Sequence, residues 1–395
     1  TALTHNIYLW DYVVQFRNYL DPFPNLRVLQ PNIRLFARFG IKNVFEQGSG
    51  RMTTEFAPLR TYLIAKLLWN PDLNVDSLMD DFLDGYYGPA GRLVRRYIDA
   101  MHDALAASGE SLVIYGYPLP SENGYLSPGH IDAYEAIFDS AESAVRDNPR
   151  FLRRVQEARL PTQFARLEQA KVFGASERGF FMKTGERQWA PRPELVALLD
   201  TFVVRCTSFG DTALNENGRT PGSYLASTRE FLTESMTSPL TIGRPVTLET
   251  PPSPNYAGGN AAVLTDGLRG WNDYNMNWLG FEGEDLVATV DLGSVHRIRE
   301  CGASFLQDDN AWIFYPKKVE FSVSPDGVTF QRVGISNFDS LSAPSPASIR
   351  GASAEFATVS CRYIRVHAYN RKSCPLWHKG AGGKAWVFAD EITVR

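Results

Sequence analysis

Trp10-Asp11-Tyr12 and Glu46-Gln47-Gly48 are where groups able to bind and cleave a sugar follow directly on apolar runs, Ile7 onward and Ile41 onward. The Trp10 indole and Tyr12 ring can stack on a pyranose. Asp11, Glu46 and Gln47 can bond its hydroxyls, and two carboxylates across a barrel mouth are the equipment of acid/base glycoside hydrolysis. The bland reading makes Trp10 and Tyr12 core and Glu46 a cap of the next helix. The place of both clusters, at strand ends, favours a site. Glu46 is the candidate catalytic residue, with Trp10, Asp11, Tyr12 and Gln47 as substrate-binding candidates. Neither carboxyl is favoured as the proton donor, since two strands supply only part of a barrel.

A second group lies in residues 251–295 and beyond. Asp266 sits in a Gly-bounded loop and Glu391 in the last strand. Calcium takes several oxygens, commonly backbone carbonyls with one or two carboxylates, and the loop around residues 260–269 offers both. An Asx-turn, with Asp266 bonding its own backbone, explains the same loop equally well. Trp278 and Trp386 read as sandwich core. Trp271, Trp312 and Trp377, in stretches rich in Asn, Asp and Gly, read as an exposed sugar-binding platform.

The elements that must position these groups fall into three zones. Residues 1–50 read as strand, helix, strand, the helix falling on 31–40; a spacing of about 35 residues suits one βα repeat of a parallel barrel or doubly wound sheet. Residues 51–238 are helical. Phe56, Leu59, Leu63, Leu67 and Leu68 form a stripe, Leu78, Phe82 and Leu83 another, and Pro89 starts a third helix. Ser127-Pro128 caps a fourth, and 160–173 and 194–209 supply two more. Residues 239–395 turn to short alternating strands between Gly, Pro, Ser and Asn turns, which predicts an antiparallel sandwich or jelly roll. The expected architecture is thus multidomain, with the last βα units of a barrel, a helical domain and a C-terminal β-sandwich. His130 reads as a capping residue, and Asp76, Asp80, Asp81 and Asp84 as a solvated helix face.

Composition narrows the partners. Forty Lys and Arg against 44 Asp and Glu give a net charge of −4, which supplies no basic field for nucleic acid. No apolar run approaches the ~20 residues a membrane span needs. The four cysteines show no zinc spacing; Cys301 and Cys361 lie in strands and could pair, but buried free thiols are favoured. The opening Thr1-Ala2-Leu3-Thr4, without Met or a signal-like segment, reads as the start of a fragment of something longer.

The third zone resembles the coagulation factor V/VIII type C (discoidin-like) module, also used as a family 32-type carbohydrate-binding module. The likeness is carried by Ala-Gly-Gly…Leu-Thr-Asp-Gly, Trp-Leu-Gly-Phe, Leu-Val-Ala-Thr-Val-Asp-Leu-Gly, Phe321 to Gly327, Arg362 to Val366 and Asp390-Glu391-Ile392. It implies a structural calcium held by Asp266 and Glu391, with no organic cofactor. The first two zones resemble the C-terminal part of a former domain of unknown function, now grouped as glycoside hydrolase family 163. Here the carriers are Trp10-Asp11-Tyr12, Phe45-Glu46-Gln47-Gly48, Leu67 to Pro71, Phe82 to Ala90 and Leu126 to Ile131. That likeness implies a hexosaminidase-like (β/α)8 barrel and endo-β-N-acetylglucosaminidase activity on N-glycans. Most of that barrel, with the strands expected to carry the general acid, is absent from this chain. Together the likenesses imply a bacterial enzyme, secreted, periplasmic or at the cell surface. Its partners would be oligosaccharide or glycoprotein glycans and the N-terminal part of the same protein. The alternative is a non-catalytic glycan-binding or adhesion protein.

Overall fold

The computed structural model describes residues 1–395 apart from 1–3, 5, 52–53, 120–123, 187, 239, 272–273, 276 and 339–341. It divides into two compact units, Thr1–Ala170 with Arg192–Ser227 and Lys171–Pro191 with Thr228–Arg395. The expected strand-helix zone and most of the helical zone thus share one unit, while residues 171–191 and 228–238 of that zone belong with the β-rich part.

The first unit opens on β1 (Tyr8–Tyr12), α1 (Leu26–Arg38) and β2 (Asn43–Gln47). β1 and β2 pair in parallel, so this is one βαβ unit, and among the described residues no further parallel strand extends it toward a barrel. α1 begins at Leu26, ahead of the expected start at Pro31. Pro31 instead lies inside the helix, whose buried face is Leu26, Leu29, Gln30 and Ile33.

The helices follow as α2 (Ala57–Trp69), α3 (Val75–Tyr87), α4 (Gly91–Ser108), α5 (Pro128–Ala144) and α6 (Pro149–Phe173). Leu59, Leu63 and Leu67 stand four residues apart on α2 and are buried, whereas Leu68, assigned to the same stripe, turns about 100° away and is exposed. Ser127 caps α5 by accepting from the His130 amide, and the His130 ring bonds Ser127 and the Gly124 carbonyl, as expected of a capping histidine. The acidic row on α3 does more than face water. Arg95 on α4 bonds Asp76 at 2.7 Å, Asp80 at 2.9 Å and Asp99 at 2.9 Å.

The chain continues through a hairpin of β3 (Phe181–Gly185) and β4 (Gln188–Pro191), then α7 (Pro193–Phe209) and α8 (Pro221–Glu234). The last strands are β5 (Val246–Leu248), β6 (Leu279–Glu282), β7 (Leu286–Gln307), β8 (Lys318–Ser324), β9 (Gln331–Asn337), β10 (Ser348–Ala368) and β11 (Trp386–Val394). They form one seven-stranded sheet in the order β6-β11-β7-β10-β8-β9, with β5 also on β7, and every pairing is antiparallel. The two long strands, β7 and β10, run beside each other with register breaks between Glu355 and Val359 and between Cys361 and Tyr363. Bulges of this kind bend a strand and sharpen its twist. Their inward residues, such as Val290, Phe305, Ile364 and Val366, fill one core. All four cysteines are buried free thiols, as favoured from sequence. Among the described residues no helix is long and apolar enough to cross a membrane.

Candidate functional site

β1 and β2 bring the two candidate clusters together in register: Trp10 lies beside Phe45, Asp11 beside Glu46 and Tyr12 beside Gln47. Successive strand residues point to opposite faces, so the clusters divide in two. Leu9, Asp11, Val44 and Glu46 share one face. Tyr8, Trp10, Tyr12, Phe45 and Gln47 share the other. The five sequence candidates are therefore neighbours in the sheet, but they do not converge on one subsite.

The carboxyl face opens on a cleft of about 470 Å³ walled by Glu46, the Gly48-Ser49-Gly50-Arg51 loop and the α2 residues Arg60, Thr61 and Ile64. Glu46 Oε1 is buried and accepts no hydrogen bond. Burial, and then the charge of Asp11, raise the Glu46 carboxyl to about 7. The Asp11 carboxyl is also raised by burial, a push opposed by the Tyr12 amide, which donates to Asp11 Oδ1 at 2.9 Å. A group balanced near neutrality beside a second carboxyl is what proton transfer or binding of a hydroxyl requires. Glu46 does not cap the next helix, because α2 starts at the left-handed Phe56 with no side-chain cap.

The aromatic face is open to solvent. Trp10 is 58% exposed and Tyr12 47%. Trp10 Nε1 donates to Gln47 Oε1 at 2.5 Å, and its ring meets Phe45 edge-on with centroids 5.2 Å apart. This row presents flat aromatic surface with its polar handle already bonded.

Beneath the cleft lies a pair that sequence reading missed. Arg60 and Glu55 are each 3% exposed at the side chain and meet at 3.3 Å. The Phe23 amide also donates to Glu55 Oε2 at 3.1 Å, and Asn25 Oδ1 accepts from Arg60 Nε at 3.3 Å and Nη2 at 3.2 Å. Burial raises the Glu55 carboxyl, and Arg60 opposes the rise. No local pattern marks the pair, because its further partners Phe23 and Asn25 lie 32 and 35 residues away along the chain.

In the second unit the Asp266 carboxylate accepts from the Leu268 amide at 2.8 Å, which is the Asx-turn geometry, while Glu391 Oε1 accepts from the Gly267 amide at 2.5 Å. The two carboxyls face each other and Asp390 stands near. Burial first, and then mutual repulsion and Asp390, push Glu391 well above the usual range; burial raises Asp266 too. Such a buried pair needs a proton or a cation between its oxygens. The donor chemistry fits a hard cation. Among the described residues, however, no three His, Cys, Asp or Glu side chains group closely enough to hold a metal. An ion here would therefore draw its remaining oxygens from carbonyls of the loop.

The three platform candidates are half-buried, not exposed. Lys171 Nζ lies 3.8 Å from the Trp271 ring centroid, and Phe231 packs against the same indole. Trp312 adopts φ 64° and lies on Gly380 and Gly383, where a side chain would collide with its ring. His378 contacts Trp312 and Trp377 edge-on, at 5.6 and 5.8 Å. Trp312 and Trp377 thus share one loop cluster, and Trp271 belongs to a different one. Trp278 is fully buried and Trp386 packs on its cluster, as expected.

Residues 1–99 match a family model described as Domain of unknown function (DUF4838). No curated relative matches the chain. Among solved structures it is similar to the Clostridium perfringens module CpGH89CBM32-5 in complex with GalNAc-β-1,3-galactose, with 20% identity over 38% of this chain and 94% of that one and a TM-score of 0.26. Chitosan-binding module 1 from a Paenibacillus sp. IK-5 chitosanase/glucanase aligns at 17% identity over 40% and 97%, with a TM-score of 0.26. A Streptococcus pneumoniae fucose binding module aligns at 14% identity over 39% and 92%, with a TM-score of 0.27.

Proposed function

We propose that the chain is the C-terminal portion of a secreted bacterial glycoside hydrolase that acts on N-acetylglucosamine-containing glycans, with a carbohydrate-binding module in its second unit. One observation carries this reading: Asp11 and Glu46 share a face at the C-terminal ends of parallel strands, where Glu46 titrates near neutrality in the wall of a cleft. Parallel-strand C-terminal ends are where barrel enzymes keep their chemistry. Glu46 acts on the substrate through its carboxyl, as a hydroxyl acceptor or proton carrier, and Asp11 holds its pKa up. Trp10, Tyr12 and Gln47 offer a stacking surface on the opposite face. In the second unit, Trp312 and Trp377 form the sugar-contacting cluster. Asp266 and Glu391 hold a structural calcium, which neutralises their charge and ties the loop to β11.

The test uses the longer, active form of the protein on N-glycan substrates. Glu46→Gln is expected to lower turnover by two orders of magnitude or more, roughly what loss of a general acid or base costs. Wild-type turnover and KM in that variant would overturn the assignment. A glycan array on the second unit tests the module, with binding expected to weaken on Trp377→Ala.

A further inference from the structure

A second cavity in the first unit, of about 330 Å³, lies away from the Glu46 cleft and shares no wall residue with it. Its wall includes the carboxyls of Asp21 and Glu110 and the rings of Phe23, Tyr117 and Tyr125; among the described residues no Lys, Arg or His lines it. Arg17 Cζ sits over the Tyr117 ring, 5.9 Å from its centroid. Asp21 is 4% exposed, and its position is fixed: Gln15 Nε2 donates to Oδ2 at 2.9 Å and to the Gly116 carbonyl at 2.7 Å. The other oxygen, Oδ1, is buried and has no hydrogen-bond partner. Glu110 is held at the rim, where its Oε2 accepts from the Tyr125 amide at 3.2 Å. A buried acceptor left open is costly to a fold unless something binds it.

We propose that this cavity is a ligand site for a small ammonium-bearing molecule of amino-sugar size, with Asp21 and Glu110 as its acceptors and the tyrosine rings as its walls. The absence of lining bases disfavours anionic ligands, and carboxylates combined with aromatic faces are how proteins hold ammonium groups. Burial, and then the charges of Glu55 and Glu168, push the Asp21 carboxyl well above the carboxylate range. An ammonium group at Oδ1 would oppose that push and favour the ionised carboxyl.

Calorimetry with glucosamine on the whole chain tests the proposal, with glucose as the uncharged control. Glucosamine is expected to bind saturably, and glucose to bind at least roughly tenfold more weakly. Asp21→Asn and Glu110→Gln should each weaken it roughly tenfold, the cost of one charge-assisted bond. Glu110 lies at the rim, so its variant keeps the test open if Asp21→Asn does not fold. Absence of saturable binding to the folded wild type overturns the proposal, as does glucose binding as tightly as glucosamine. Loss of glucosamine binding in Glu46→Gln would move the ligand to the other cleft and overturn this site alone, leaving the hydrolase reading to its own test.

Discussion

Asp11 stands beside Glu46 in the parallel register of β1 and β2, and the two carboxyls share one face of the sheet. Repulsion between them adds to burial in raising Glu46 to about 7. Replacing Asp11 with Asn removes the repulsion and leaves the burial. The Glu46 titration midpoint, followed by carbon-detected NMR of its carboxyl, should therefore move down in Asp11→Asn while staying above the ordinary glutamate value. An unmoved midpoint would show that the two carboxyls do not communicate.

His102 makes stability depend on pH. It is buried, its Nε2 accepts from the Leu26 amide at 3.1 Å, and its Nδ1 donates to the Ile98 carbonyl at 2.7 Å. The Leu26 bond requires an unprotonated Nε2, and burial lowers the ring's pKa from 6.5 to about 4 against the Ile98 bond, which favours the charged form. Between those values the unfolded chain takes up a proton that the folded chain does not, so stability falls as pH drops through that window and levels off below it. The loss amounts to about 3 kcal/mol at most. Urea midpoints across the window should show that slope in the wild type, and His102→Gln should flatten it.

Legibility in the sequence followed locality. Alternation marked Leu286 to Leu292 and Lys318 to Ser324, and both are strands or parts of strands. The capping pattern placed the start of α5, with Ser127 as its cap and Pro128 as its first residue. Alternation also contains the separation of Trp10 from Asp11 and Glu46, because odd and even strand positions cannot share a face. What sequence could not show were partners far apart along the chain. Arg95 reaches acids 15 and 19 residues back, and Arg60 meets Asn25 from 35 residues away. The half-burial of Trp271 depends on Lys171, a hundred positions earlier, and no local pattern records that.

Arg60 and Glu55 form a buried pair whose members need each other. Glu55→Gln leaves a guanidinium in the core without its counter-charge, and removing one partner of such a pair costs about 3–5 kcal/mol. The double variant Glu55→Gln, Arg60→Met removes both charges and should regain much of that loss. Chemical denaturation of the four proteins in the cycle gives the coupling directly. Additive losses would mean that the pair contributes nothing jointly.

Asp266 and Glu391 face each other in the second unit; burial opposes the ionisation of both, and the charge of Asp266 adds to it at Glu391. A calcium ion between them would remove the repulsion and stabilise the folded unit by mass action, about 2.7 kcal/mol at a hundred times the dissociation constant. EDTA should therefore lower the thermal midpoint of the second unit, and excess calcium should restore it, whereas magnesium, which demands a tighter octahedral shell, should restore less. Asp266→Asn removes one charged ligand but keeps an acceptor for the Leu268 amide, so the Asx-turn survives. In that variant the calcium response should shrink while the fold remains. An equal response to calcium in wild type and Asp266→Asn would place the ion elsewhere, and the carboxyl pair would then be holding a proton.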